Sequence, residues 1–111
     1  MKLIDVEENK LTKSQLDYAT AVAIGWEYRR GEWVNGDELK FSPAIAFKPS
    51  TDWGHLGIAV EQYSKDNDLY ITNYNWKMQF DGVATSICYD IVMKSSPCGY
   101  QRYIKVPEGE Y

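Results

Sequence analysis

Cysteine and histidine are scarce in this 111-residue chain, which holds only Cys88, Cys98 and His55 of those types. A structural zinc takes four ligands, so this inventory gives no metal centre. No motif calls for a cofactor either. Long apolar runs are missing too: none approaches the roughly 18 residues of a membrane span. The opening residues turn charged by Asp5, which reads against a signal peptide. The expectation is a cytoplasmic protein without a membrane segment, its thiols reduced. An excess of positive charge is also lacking. The formal net charge of −4 argues against a protein that coats nucleic-acid phosphates, so direct nucleic-acid binding is not expected.

What the chain does have is aromatic surface: nine Tyr and four Trp within a 44% apolar composition. That is enough for one globular domain over residues 1–111 with a real but modest core. Aromatic rings bury much area per side chain, and they also anchor interfaces. Composition alone leaves both uses open.

The firmest local signal is Leu11-Thr12-Lys13-Ser14-Gln15-Leu16. Thr12 and Gln15 form a capping box, Leu11 and Leu16 suit a hydrophobic staple, and Gly25 is a natural stop. The spacing predicts a helix over 13–24. A second amphipathic stripe runs through Ala84, Ile87, Cys88, Ile91 and Val92, capped by Asp81. Residues 1–6 and 103–106 read as short strands, and 69–76 is rich in strand formers. Residues 26–40, with turn signals at Arg30-Gly31 and Asn35-Gly36, fit a hairpin or an ordered aromatic loop. Residues 41–47 suit a short strand or extended run, although Pro43 argues against a central strand. Residues 55–60 alternate at Leu56, Ile58 and Val60, and Gly54 and Gly57 favour the extended form over a short helix. Residues 64–68 read as a polar turn. The expected fold is α+β, a small, mostly antiparallel sheet of about four strands with two helices packed on one face.

The central stretch Lys48-Pro49-Ser50-Thr51-Asp52-Trp53-Gly54 puts a rigid turn, two hydroxyls, a carboxylate and an indole together. Asp52 and Trp53 could bind and stack a ligand, or they could close an Asx turn and plug the core. Asp17, a mediocre helix former inside the first helix, is either solvated or faces the same cleft as Asp52. Placed together, these carboxylates would suit a ligand with donors rather than a bare phosphate. The expected ligand-binding set is Asp17, Ser50, Thr51, Asp52, Trp53 and Trp76. No catalytic set is expected, because the nucleophile and its tuned base are not visible together; Cys98 lacks an evident partner and His55 reads as a loop histidine. A second cluster, Trp26, Tyr28, Arg29, Arg30 and Trp33, has the composition of an interaction hot spot and equally that of an aromatic mini-core.

Several landmarks occur in a familiar order. They are Leu16-Asp17-Tyr18-Ala19-Thr20-Ala21, Pro49-Ser50-Thr51-Asp52-Trp53, Gly57 through Glu61, Gly82-Val83-Ala84-Thr85 and Val106-Pro107. In these the chain resembles the NinX-like proteins of tailed phages and prophages, a family catalogued as a domain of unknown function. It departs from the pattern at Tyr18, where the family usually has Trp, and at Gly57-Ile58, where it has Gly-Pro. The resemblance implies a small phage or prophage accessory protein in the host cytoplasm and supplies no reaction. The reading that follows is a non-enzymatic binder of a small molecule or nucleotide, one use being sequestration of a host signalling nucleotide. The alternative is a protein-interaction inhibitor docking on a host enzyme or defence complex. The aromatic content would also suit a homodimer.

Overall fold

The computed structural model describes residues 2–67, 81–94, 103–109 and 111. In chain order these form β1 (Leu3–Glu7), a 3₁₀ turn (Glu8–Lys10), α1 (Lys13–Ala23), β2 (Glu27–Arg29), β3 (Glu32–Asn35) and β4 (Glu38–Phe41). A second 3₁₀ turn (Ala44–Ala46), α2 (Trp53–Asn67), α3 (Asp81–Lys94) and β5 (Tyr103–Pro107) follow.

The capping box forms as the sequence predicts. Thr12 Oγ1 accepts from the Gln15 amide at 3.1 Å, and Gln15 Oε1 accepts from the Thr12 amide at 3.0 Å. At the other end Gly25 takes φ +91°, its amide bonds Val22 O and the Trp26 amide bonds Ala21 O, the paired bonds of a Schellman stop. Along its middle α1 has no wet side: every residue from Gln15 to Ala21 is buried, while Lys13 and Val22 near the two ends are exposed. It touches α2, α3, β2 and β5, so it is the centre of the molecule and not a lid on a sheet.

The architecture is α+β, but the single four-stranded sheet is replaced by two antiparallel sheets. β1 pairs with β5, and β2-β3-β4 forms a separate meander. The meander resolves residues 26–40 as successive hairpins. Arg30 and Gly31, both with positive φ, make a two-residue turn of the I′ kind, and Gly36 at φ +62° opens the next one. Beyond Phe41 the strand stops, because Pro43 cannot donate to a ladder and instead leads into the Ala44–Ala46 turn.

Residues 55–60 are helical, not extended, and 64–67 continue that helix in place of a polar turn. Asp52 is the reason at the start: its Oδ1 accepts the His55 amide at 3.1 Å, while its carbonyl takes the Leu56 amide. Leu56, Ala59 and Tyr63 then face the core. Each glycine costs about 1 kcal/mol against alanine in a helix. Burying Leu56 alone returns about 2 kcal/mol, and Ala59 and Tyr63 add to it. The apolar stripe wins. The expected strand over 69–76 and the turn holding Cys98 lie outside the described residues. Among the described residues no helix is long and apolar enough to cross a membrane.

The aromatic side chains form two clusters. In one, Tyr18, Tyr28, Trp33 and Tyr111 contact one another with ring centroids 5.1–6.3 Å apart. In the other, Trp26 packs on Phe47, and Phe47 and Phe41 flank the His55 ring. Trp33 is 0% exposed and donates its indole N–H to Ala44 O at 3.2 Å; Trp26 is 4% exposed. These two rings are therefore core and do not present a docking surface. What is left outside in that stretch is Arg29 and Arg30, with Tyr28 half-covered.

Two outcomes follow from this packing. Trp33→Ala should destabilise the fold by about 3–5 kcal/mol in urea unfolding, the cost of emptying a large buried site. Asp52→Ala should cost about 1 kcal/mol while Asp52→Ser retains most of it, as expected of a helix cap and not of an extended segment.

Candidate functional site

The bend at residues 48–52 lies directly against α1. The Ser50 amide donates to Asp17 Oδ1 at 2.9 Å, a buried bond between residues 33 apart in sequence. The bend is also closed on itself, with the Thr51 and Asp52 amides both bonding Lys48 O. From the far side Thr85 of α3 reaches Ser50 O at 3.5 Å. From the α2 side His55 Nδ1 accepts the Lys48 amide at 3.0 Å. Three helices thus hold one short turn.

Between this turn and the start of α1 is a cleft of about 280 Å³, lined by Lys13, Ser14, Asp17, Ile45, Lys48, Thr51 and Tyr111. Lys13 and Asp17 share a helix face because they are one turn apart. Ile45 and Tyr111 supply an apolar wall, and Ser14 and Thr51 bring hydroxyl groups. Neither Lys13 nor Lys48 has an ion-pair partner among the described residues, although the surface carries pairs such as Lys10–Glu7 and Lys40–Glu38.

Asp17 is 4% exposed. Burial pushes its carboxyl up to about 6, against the Ser50 amide and hydroxyl and the Lys48 and Lys13 charges, which hold it down. The Ser50 hydroxyl, itself buried, lies beside the carboxylate and adds to that lowering, although its geometry falls short of a full hydrogen bond. Tyr111 has its phenol raised by burial and by the nearby Asp17, so it stays a neutral ring at the cleft wall.

The expected ligand-binding residues therefore separate. Asp17 and Thr51 line the cleft, and Ser50 sits beneath it as the amide that fixes Asp17. Asp52 points to its cap at the start of α2, and Trp53, half-buried, packs against the core. Trp76 lies outside the described residues. Sequence reasoning missed Lys13, Ser14, Ile45, Lys48 and Tyr111. Lys13 and Ser14 were findable as the residues four and three before Asp17 on one helix face, and Lys48 as the neighbour of the bend; nothing local marks Ile45 or Tyr111. Among the described residues no group of His, Cys, Asp and Glu could hold a metal ion. Cys88 is buried, with its thiol pushed up to about 12, so it is a packing residue and not a nucleophile.

The displaced Asp17 carboxyl sets a pH dependence. Its folded value of about 6 exceeds the ordinary 3.8, so the folded state binds this proton more tightly than the unfolded state does. The stability it contributes is complete below the lower value and is lost as pH rises through the higher one, ~3 kcal/mol at full effect. Asp17→Asn keeps an oxygen for the Ser50 amide and removes the charge. The variant should be more stable than the parent by ~2 kcal/mol near pH 7.5 and should lose that advantage towards pH 4, as read from urea unfolding across the range.

No family model matches this chain, and comparison with curated proteins and with solved structures finds no match.

Proposed function

We propose that the protein is a non-enzymatic phage or prophage accessory protein that holds a small anionic molecule, nucleotides included, in the cleft between α1 and the 48–52 bend. Sequestering a host signalling molecule in the host cytoplasm is the use that fits such a binder. The observation that carries this reading is the convergence of Lys13 and Lys48 on one cleft, both without ion-pair partners among the described residues. Two ammonium groups against the single Asp17 carboxylate leave the cleft net positive on an otherwise acidic chain, which favours an anion at short range. The cleft's volume, just below the ~300 Å³ at which ligand pockets usually begin, points to a small occupant. The NinX-like landmarks support the phage or prophage origin. Binding is favoured over turnover because Cys88 is sealed in the core and the His55 ring is engaged by the Lys48 amide and stacked on Phe47.

A panel of mononucleotides and small carboxylates in a thermal-shift assay tests this. An occupant present at about 100 times its Kd should add ~2.7 kcal/mol, a rise in Tm of roughly 10 °C for a domain of this size. Lys13→Ala and Lys48→Ala should each weaken binding about 10-fold, while Arg29→Ala, on the meander, should leave it unchanged. Failure of every anion to raise Tm, or shifts that survive both lysine changes, would remove the cleft from consideration.

A further inference from the structure

We infer that the anion taken by this cleft also carries an N–H donor, and that Asp17 receives it. The inference rests on the anion-binding reading above and specifies the ligand class. It starts from what surrounds the carboxylate. Asp17 Oδ1 is occupied by the Ser50 amide and the Ser50 hydroxyl lies beside the carboxylate, so one residue takes at most two of its roughly four acceptor positions. Asp17 nevertheless lines the cleft, so its remaining acceptor capacity lies at the wall that an entering ligand would meet.

The lysines do not relieve this need. Lys13 and Lys48 are close enough to lower the carboxyl's proton affinity, yet neither makes an ion pair with it. A carboxylate held by Ser50 alone, with cations that stop short of an ion pair, has room for a third party. At neutral pH it is mostly ionised and acts as an acceptor only.

That charge also works as a filter. A ligand that is anionic throughout would meet repulsion where Asp17 faces the cleft, whereas one with an N–H at that end gains a charge-assisted hydrogen bond. Position makes the filter strict, because a buried carboxylate left against an unmatched ligand group loses solvation without compensation. The cleft therefore reads opposite features at its two sides: negative charge by Lys13 and Lys48, a donor by Asp17. Two sources present that combination at this size, an α-amino acid and a nucleotide whose base carries an N–H edge.

Matched ligands tested by titration calorimetry separate these cases. Glutamate is compared with glutarate, which lacks the ammonium group, and guanosine 5′-monophosphate with purine riboside 5′-monophosphate, whose base has no N–H. The parent protein should prefer the donor-bearing member of one pair by about 10-fold or more, and the pair that discriminates names the source. Asp17→Asn presents an amide N–H where the acceptor stood and should bring that preference to within about twofold. Lys48→Ala should weaken both members of the pair and preserve the preference, so the result does not depend on one variant. Equal binding of both members in each pair would overturn the donor role and leave the anion cleft standing. No binding of any of the four compounds would overturn both readings together.

Discussion

The hydrogen bond from the Ser50 amide to Asp17 is the constraint that the central part of this structure depends on. An ionisable side chain in the middle of the buried run of a helix is expensive to bury unless it has a partner. Here the partner is a backbone amide, which cannot move without moving the turn that carries it. The cost of burying Asp17 thus becomes a positional lock on residues 48–52. The same turn holds the cap residue of α2 and meets Thr85 of α3, so the lock reaches three helices through one peptide unit. Burial outweighs the Ser50 bonds and the nearby lysines, and the carboxyl is pushed up to about 6. A purely structural pin would be better served by a neutral side chain, and this mismatch gives Asp17 meaning beyond packing.

The aromatic residues solve a different problem. A chain of 111 residues buries a limited share of its surface, and short strands such as β2 and β3 cannot hold together on ladder bonds alone. Trp33, Tyr28, Tyr18 and Tyr111 fasten the meander to α1, and Trp26 with Phe47 fastens the turn that follows it. The second cluster encloses the His55 ring between Phe41 and Phe47, with Nδ1 aimed at the Lys48 amide. Large apolar area is spent on holding small elements in place, leaving the polar cleft on a rigid base.

Local chemistry made much of the fold legible. The Thr12–Gln15 box, the Gly25 stop, the stripe of α3 and the turn pair at 30–31 all act within a few residues, and each forms. The signal at Asn35-Gly36 marks a turn that falls one residue later, at 36–37. What failed was a competition between signals. Gly54, Gly57 and the Leu56/Ile58/Val60 alternation favour an extended segment, whereas the helix is set by the Asp52 cap and by the tertiary burial of Leu56, Ala59 and Tyr63, which cannot be read from sequence. The split of the strands into two sheets is equally non-local. For the cleft, Asp17 and the bend could be singled out as unusual, and their meeting was an expectation that the Ser50 bond makes concrete. Tyr111 enters from a distant point of the chain, with no local mark to identify it.

Gln15 carries one more implication. Its side-chain oxygen closes the first turn of α1 while its nitrogen donates to Pro107 O at 3.0 Å in the β1–β5 ribbon. One amide therefore serves two elements that are remote in sequence, and neither can fray without unsettling the other. The start of the helix and the end of the ribbon should exchange their amide protons as a single opening unit, slower than either would alone. Because Lys13 and Ser14 belong to that unit, the mouth of the cleft inherits its rigidity from a strand it does not touch.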